Sequence, residues 1–417
     1  MIASVRSGRM TTAYTPEVQL VVTIYEPTQD AAIDAIRSLR DDHDMIEVRL
    51  DAFGGTGDFP AFCGATAKPI IFTNRGGDPP ETDLGFVDVE YGRKIKDPRR
   101  TVLSFHDFED MPDLNPLIDA MTAFGCAHTK IAVTPLTLRE NDALLAAIKP
   151  GLTIIGMGEH GLYSRILAPF FGSELFFAGI AAPGQLSLER VLPIYGDRKL
   201  PKPEKIFAIA GNPAGHSLSP AIHNPLFRKN RVPGAYTIAS FETFDEIAEA
   251  FQRGRIAGLS VTAPFKADAL AFAKRIGADI RPNAYEAEAA NTLVRTKIGV
   301  IADNTDVDGF EILLRGVHAR RAAVAGAGAT ARAAIVALRR GGKEVRLYNR
   351  NPKFGAEPLD NLSSFKGDLV VDTLPPGVHV PIPSGMTTIA AAYDRGGLQL
   401  LQAQAIRQNA LFLEAFR

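Results

Sequence analysis

The sequence predicts an α/β protein in two parts: a parallel (β/α)8 barrel, then a second α/β unit containing a dinucleotide-binding Rossmann fold. Three observations carry this expectation. Eight short apolar runs recur between residues 19 and 181: "QLVVTIY", "MIEVRLDAF", "PIIFTN", "GFVDVEY", "TVLSFHDF", "TKIAVTP", "LTIIGMG" and "LFFAGIA". Each is apolar on both faces, as parallel strands covered by helices must be. Helical patterns separate several of them, namely "TQDAAIDAIRSL", "DLNPLIDAMTAF", "TLRENDALLAAIK" and "YSRILAPFF", and alternation of this kind is what a barrel requires. Further on, "RAAVAGAGATARAAIVALRRGGKEVRLY" (321–348) reads as strand, glycine turn, helix, strand, the outline of a Rossmann βαβ unit.

The alternation fails twice. Only "RGGDPPETDL" separates the third run from the fourth, and only "GRKIKDPRR" separates the fourth from the fifth. Neither can hold an amphipathic helix of ordinary length. The barrel is therefore expected to lack its third and fourth helices. The wall bared there would need cover from the second unit or from another copy of the chain in a homodimer. The charged, proline-containing "GDRKLPKPEK" (196–205) has no periodicity and reads as a linker. The expected organisation is an N-terminal extension (1–17), a barrel (18–198), a linker (199–204), a lobe built from 205–302 and 400–417, and a nucleotide lobe (303–399).

Composition narrows the function classes. A chain of 417 residues can bury two or three ordinary cores. With 46% apolar and 22% charged residues and a formal net charge of −1, it has the balance of a globular protein. It has no electrostatic footprint for nucleic acid or an anionic membrane. No apolar run approaches the roughly 18 residues of a membrane span. The opening "MIASVRSGRMTTAYTPE" lacks the apolar core of a secretory signal. Cys63 and Cys126, the two cysteines, form neither a disulfide framework nor a metal-ligand spacing. A cytoplasmic, metal-free protein acting on small molecules is the expectation.

In barrels, chemistry sits at the C-terminal strand ends. Glu47, Arg49, Arg75, Glu90, His106, Lys130 and Arg165 stand there, and Gln185 follows in "APGQ". Three arginines imply an anionic substrate, because guanidinium pairs bidentately with carboxylate. Lys130 lies within an apolar strand. Desolvation there would lower the pKa of its amine and leave a nucleophile able to form a Schiff base with a ketone. His106 could then move a proton next to the iminium carbon. The plainer alternatives are a buried ion pair for Lys130 and a strand-end polar residue for His106.

Taken in order over residues 17–195, "EVRLD", "SFHDF", "KIAVTP", "GMGEHGLYSR" and "APGQ" resemble type I 3-dehydroquinate dehydratase. The resemblance implies a Schiff base between Lys130 and the ketone of 3-dehydroquinate. It implies that His106 takes the C2 proton and then helps the C1 hydroxyl leave as water. Glu47, Arg49, Arg75, Arg165 and Gln185 would hold the substrate. Two departures stand out. Ala181 replaces the family's Ser or Thr before "APGQ". The loop after the third strand, which in the family brings a glutamate to orient the histidine, is the short "RGGDPPETD", leaving Asp78, Glu81 or no residue for that role.

In the second half, "GNPAGHSLSPAIHN" places Ser217 and Ser219 two apart beside a glycine-containing turn. In extended backbone that spacing points both hydroxyls to one side, suited to a carboxylate. "SVTAPFK" brings Lys266 just after a strand, while "AANT" and "NTDVDGF" bring Asn291 and Asp306. A Lys–Asp pair can hold an ammonium near a carbonyl and relay a proton to it, although an ordinary surface ion pair would read the same. "GAGATA" supplies Gly326, Gly328 and Ala329, with Ala331 completing a G-x-G-x-x-A spacing that lets backbone N–H groups approach a pyrophosphate. About 20 residues on, an NAD site would want an acid on the ribose. "YNRNPK" offers Asn349, Arg350 and Lys353 instead, which suit the 2′-phosphate of NADP.

Across 205–417, the motifs "GNPAGHSLSPAIHN", "VTAPFK", "NT", "NTDVDGF", "GAG" and "NR" resemble shikimate dehydrogenase. The resemblance implies that Ser217, Ser219, Thr262, Asn291, Asp306 and Gln404 bind shikimate, with Lys266 and Asp306 as the catalytic pair. Here too there are departures: Ser260 replaces an Asn, and between "PIPSG" and "GGLQLLQAQA" the family's tyrosine-bearing segment and helix are deleted, with Tyr393 nearby but not aligned to it. Together the two resemblances imply a bifunctional enzyme of the shikimate pathway, serving aromatic amino acid biosynthesis. It would convert 3-dehydroquinate to 3-dehydroshikimate and then, with NADPH, to shikimate. A quinate-utilising pair of activities and a shikimate or quinate sensor that has lost catalysis are the alternatives.

Overall fold

The computed structural model describes residues 17–196, 198–351 and 355–417. The expected N-terminal extension, apart from Glu17, lies outside them, as does Lys353. Eight parallel strands form the first sheet: β1 (Gln19–Ile24), β2 (Met45–Arg49), β3 (Ile70–Thr73), β4 (Phe86–Glu90), β5 (Thr101–Asp107), β6 (His128–Val133), β7 (Leu152–Gly156) and β8 (Leu175–Ala178). They pair in chain order, and β8 returns to β1. The ladder is open between β7 and β8, where side-chain hydroxyls take its place. Leu175 N donates to Thr153 Oγ1 and Ile154 N to Ser173 Oγ, each at 3.1 Å.

Helices α1 (Gln29–Ser38), α2 (Phe59–Gly64), α3 (Leu114–Thr122), α4 (Leu138–Ala146), α5 (Leu162–Leu167) and α6 (Leu188–Tyr195) follow β1, β2, β5, β6, β7 and β8. Their starts are chemically marked. Thr28 and Asp58 cap α1 and α2, and Thr137 with Glu140 forms a capping box on α4. α2 spans too few residues to show a helical period, which is why the sequence does not announce it.

Between β3 and β4 the chain is a loop (74–85). Between β4 and β5 it is a loop closed by the 3₁₀ turn Pro98–Arg100. These loops are fastened to each other: the Arg100 guanidinium donates twice to Gly85 O, at 3.0 and 2.7 Å. Tyr91 and Ile95 fold back onto the cluster of Leu103, Ile118, Met121 and Ile131, so loop side chains cover part of the wall that a helix would.

The second unit has two sheets. The first contains β9 (Lys205–Gly211), β10 (Gly234–Ser240), β11 (Gly258–Val261), β12 (Asp279–Ile280), β13 (Thr292–Thr296) and β14 (Gly299–Asp303), in the order β10-β9-β11-β13-β14-β12. Its helices are α7 (Ser219–Lys229), α8 (Phe244–Gln252), α9 (Lys266–Arg275) and α10 (Pro282–Glu286); α11 (Thr305–Leu313) leads on to the other sheet, whose core its Val307 and Phe310 join. The other sheet is wholly parallel: β15 (Arg321–Ala325), β16 (Glu344–Asn349), β17 (Glu357–Pro358), β18 (Leu369–Asp372) and β19 (Thr387–Ala390), in the order β17-β16-β15-β18-β19. α12 (Ala329–Arg340) follows the glycine turn after β15. α13 (Leu398–Leu413) then carries the chain back to the first sheet, where Phe412 packs on Phe207 with ring centroids 4.9 Å apart.

Of the two covers expected above for the helix-free wall, the second unit is not one among the described residues. One continuous apolar cluster joins Leu138, Ile166, Val191 and Tyr195 of α4–α6 to Phe207, Phe227 and Tyr236. That face lies half-way round the barrel from β4. The reason is α5, whose residues Leu162 to Leu167 are all buried; a helix buried all round needs protein on its outer side as well. Polar contacts fix the docking: Thr237 Oγ1 donates to Tyr163 O at 2.9 Å, and Arg228 donates to Pro193 O and Ile194 O at 2.5 Å each. The segment read as a linker is also held, since Lys199 bridges Glu17 and Leu200 is buried.

Candidate active sites

Parallel strands with period-2 alternation send β4's Asp88 and Glu90 into the barrel and its valines outward. A cleft at the C-terminal end is lined by Glu47, Arg49, Arg75, His106, Lys130, Arg165 and Gln185, seven of the eight strand-end residues singled out from the sequence; the eighth, Glu90, is not on the lining. Lys130, 3% exposed, donates from Nζ to Asp88 Oδ2 at 2.7 Å and lies 4.6 Å from the centre of the Phe177 ring. Ser104 Oγ donates to the same Asp88 oxygen at 2.7 Å, and Arg75 Nη2 stands 3.1 Å from its other one. Burial opposes the charged form of Asp88, but the Lys130 and Arg75 cations outweigh it and hold this carboxyl well below the usual range.

The residue that orients His106 is Glu90, not Asp78 or Glu81 of the shortened loop. Glu90 Oε2 lies 2.9 Å from His106 Nδ1, and Glu90 Oε1 accepts from the His106 backbone N–H at 2.9 Å. A carboxylate only accepts, so Nδ1 carries the proton and Nε2 is left as the acceptor. Arg75 Nη1 donates to the same Glu90 oxygen at 2.6 Å, locking its position. Burial lowers the His106 pKa, aided by Lys130 and Arg75, against the hydrogen bond that His106 donates to Glu90, which raises it. Asp78 and Glu81 are exposed, and Asp78 pairs with Arg93 instead.

A pH prediction follows with a defined sign. A base must be neutral, so activity is lost as pH falls through the His106 pKa. The acid limb of barrel kcat/KM therefore lies below the ordinary imidazole range. Glu90→Gln removes a group that raises this pKa, so the limb moves to still lower pH. The rate also falls by about 10²-fold as orientation is lost. pH–rate profiles of the two proteins check both points.

The arginines differ in what they leave free. Arg49 is spent on Asp51, donating at 2.9 and 2.7 Å, and Arg75 is spent on Asp88 and Glu90. Arg165 is 4% exposed and, among the described residues, bonds only carbonyls, Pro183 O at 3.1 Å and Phe177 O at 3.4 Å. Burial pushes its pKa down to about 10, still charged near neutrality. It is the cation in this cleft with no carboxylate of its own. Glu47 accepts from Thr23 Oγ1 at 2.8 Å and Thr73 Oγ1 at 2.9 Å, while Gln185 Nε2 donates to Thr23 Oγ1 at 2.9 Å.

A second cavity, of about 570 Å³, opens between the two sheets of the second unit. Ser219, Thr262, Lys266, Asn291, Asp306 and Gln404 line it. Lys266 Nζ donates to Asp306 Oδ2 at 2.5 Å and to Thr330 Oγ1 at 3.2 Å. Asn291 Nδ2 donates to Asp306 Oδ1 at 2.9 Å, and Thr305 Oγ1 donates to Gln404 Oε1 at 2.9 Å. Ser217 differs from the other sequence-predicted residues here: it is buried behind Ser219, its Oγ donating to Ser219 Oγ at 3.1 Å, and is not on the cavity lining.

Ser260, Gln408 and Tyr393 are among the lining residues that escaped sequence reasoning as site members. Ser260 bonds Tyr236 and donates to Gln408 Oε1 at 2.6 Å, while Gln408 Nε2 donates to Thr292 Oγ1 at 2.7 Å. Gln408 stands four residues after Gln404, so a shared helix face was the available signal. Tyr393 also lines the cavity and contacts Ser217. Its side chain is only partly covered, and this desolvation together with the Asp306 charge pushes its phenol up, which keeps it protonated.

At the nucleotide motif, Gly326 has φ +103, where a Cβ would meet Thr373 Oγ1 at 2.7 Å; glycine is required for this turn. Gly328 opens on free space, and α12 starts beside it without a side-chain cap, so its first N–H groups are available to a phosphate. Ala331 is fully buried, as close packing of helix on sheet demands. Asn349 ends β16, with Nδ2 donating to Asn351 O at 2.9 Å, and Arg350 is exposed with no acidic partner among the described residues. These features fit a phosphorylated dinucleotide.

Fold and clefts together define a chain with two separate lysine-centred clefts, one inside a barrel and one between two α/β lobes. Residues 81–200 match the family model of type I 3-dehydroquinase, and residues 209–293 match that of the shikimate dehydrogenase substrate binding domain. The two matches follow one another along the chain, the first within the barrel and the second within the first sheet of the second unit and its helices. It is 31% identical over 315 residues to the shikimate biosynthesis protein AroDE of Chlamydia pneumoniae, a match covering 69% of this chain and 65% of that protein. It is 28% identical over 310 residues to the chloroplastic bifunctional 3-dehydroquinate dehydratase/shikimate dehydrogenase of Arabidopsis thaliana, covering 64% of this chain and 51% of that one. The chain therefore spans less than two thirds of the length of either relative. The solved dehydroquinate dehydratase and shikimate dehydrogenase from S. pombe AroM aligns over 97% of this chain and 99% of its own, at 21% identity and a TM-score of 0.39.

Proposed function

We propose that the chain catalyses two consecutive reactions, dehydration of 3-dehydroquinate to 3-dehydroshikimate in the barrel and reduction of 3-dehydroshikimate to shikimate in the second unit. The observation that carries this is the barrel mouth, where Lys130, an oriented His106 and the carboxylate-free Arg165 share one cleft. Arg165 takes the substrate carboxylate bidentately. The Lys130 amine attacks the ketone, water leaves, and the imine makes the adjacent C2–H acidic. His106 Nε2 removes that proton. It then returns a proton to the C1 oxygen as the C1–O bond breaks and water departs. Hydrolysis of the imine frees the product and restores the amine. Glu47, Arg49, Arg75 and Gln185 hold the substrate hydroxyls and the catalytic groups in register.

In the second cavity, Ser219, Thr262, Asn291 and Gln404 bind the ring and its substituents, with Ser217 supporting Ser219 from behind. Lys266, held by Asp306, delivers a proton to the ketone oxygen. Gly326, Gly328 and Ala329, with Asn349 and Arg350 at the 2′-phosphate, would hold NADPH, which when bound would supply the hydride. Thr330 fixes Lys266 from the nucleotide side of the cleft. The functional units are a dehydratase barrel (18–198), a linker (199–204), a shikimate-binding lobe (205–302 and 400–417) and a nucleotide lobe (303–399). Two free cysteines support a cytoplasmic setting, and no helix among the described residues is long and apolar enough to cross a membrane. Leu84, exposed beside β4 where no helix lies, supports a homodimer that covers this wall.

The test is a coupled assay. The purified chain, given 3-dehydroquinate and NADPH, should oxidise the nucleotide and accumulate shikimate, and NADH in place of NADPH should lower the rate. No shikimate from 3-dehydroquinate with either nucleotide would overturn the reading.

A further inference from the structure

The loop that carries Ser217 and Ser219 is gripped by residues of the barrel. Glu159 lies between β7 and α5. Its Oε1 accepts from Ala214 N at 3.1 Å, from Gly215 N at 2.6 Å and from Ser240 Oγ at 2.8 Å. Arg190 lies on α6. Its Nη2 donates to Gly215 O at 2.6 Å and to Ser217 O at 2.9 Å. A barrel carboxylate thus holds the N–H side of Gly215 while a barrel guanidinium holds its carbonyl and that of Ser217. A Cβ at Gly215 would come within 2.5 Å of Glu159 Oε2, so glycine lets the carboxylate close on the backbone.

We infer that Glu159 and Arg190 are positioning residues for the second reaction: the barrel supplies the clamp that fixes the Ser217–Ser219 loop against the substrate cavity. The inference rests on reading that loop as part of the shikimate site. Its physical basis is simple. Between β9 and α7 the loop is free to shift unless its carbonyls and N–H groups are held, and charged partners make the stronger hydrogen bonds. Ser217 Oγ donates to Ser219 Oγ at 3.1 Å and accepts from Ser219 N at 3.2 Å, so anchoring the Ser217 backbone also helps to fix where the Ser219 hydroxyl sits. In the chain as built, the shikimate cavity is completed by the fold that houses the other site.

The experiment uses the full chain with Glu159→Ala, Glu159→Gln and Arg190→Ala, measuring shikimate oxidation with NADP⁺. The expected result is a KM for shikimate raised about tenfold in each alanine variant, the size set by losing charged hydrogen bonds to a loop. Saturated kcat and the KM for nucleotide should stay within about twofold. Glu159→Gln, which keeps an acceptor oxygen, should recover most of the lost affinity. Barrel turnover of 3-dehydroquinate, read in the same preparations, should be retained. An unchanged KM for shikimate would overturn the clamp. So would a parallel loss of both activities with a lowered Tm, which marks a merely structural contact. A parent chain that turns over 3-dehydroquinate but not shikimate would overturn the assignment of the second site, and the clamp with it.

Discussion

Lys130→Met should abolish the covalent adduct that borohydride is expected to fix when the protein is incubated with 3-dehydroquinate, and barrel turnover should disappear with it. The parent chain should gain the mass of the reduced ligand at Lys130, read by peptide mass spectrometry. Adduct on any other lysine, or none, sinks the imine mechanism. Methionine is chosen because it keeps the volume of the stem in a packed strand. The substitution strips Asp88 of its ammonium partner, yet the carboxylate retains Ser104 Oγ at 2.7 Å and Arg75 at 3.1 Å. The cost should therefore be smaller than the ~3–5 kcal/mol for a buried charge stripped of its partner. Dehydrogenase activity, housed in a separate cavity, should persist and reports that the variant is folded.

Lys266→Met and Asp306→Asn should each lower dehydrogenase kcat by about 10²- to 10⁴-fold, the range for removing a positioned proton donor or its partner. The Lys266 Nζ–Asp306 Oδ2 contact of 2.5 Å makes the two a unit, so the double variant should lose little more than either single one. Stopped-time assays with 3-dehydroshikimate and NADPH check this, and a strictly additive double loss would dissolve the pair. Because Asn291 Nδ2 holds the other Asp306 oxygen at 2.9 Å, Asp306→Asn also turns one amide face toward another. Some of its loss should therefore appear in the KM for substrate.

The two sites were legible in the sequence to different depths. Lys130 and Arg165 stand out because a cation inside an apolar strand or helix has to be explained. Glu90 was visible as a strand-end acid, but its service to His106 was not, because the acid was sought on the loop after β3. The alternation in "VDVE" holds the answer, since it turns Asp88 and Glu90 toward the same interior that receives Lys130 and His106. The docking face was hidden for another reason: contacts between α5 and β10 join segments whose patterns say only that each is buried. The β7–β8 seam is less readable still, as Thr153 and Ser173 look like ordinary hydroxyl residues until two strands fail to pair around them.

The return of α13 to the first sheet of the second unit has a consequence for how the molecule comes together. Phe412 and Gln408 belong to the same lobe as Phe207 and Ser260, yet the whole nucleotide sheet lies between them in the chain. During synthesis the barrel strands are all available early, whereas the lobe beside them waits for its last helix. An unfolded connection of that length would carry a closure penalty that grows with the logarithm of its length. Once β15 to β19 have folded, that connection is a compact body whose two ends lie side by side at α11 and α13. The nucleotide lobe thus acts as a splint, and its own folding brings the edges of its host within reach.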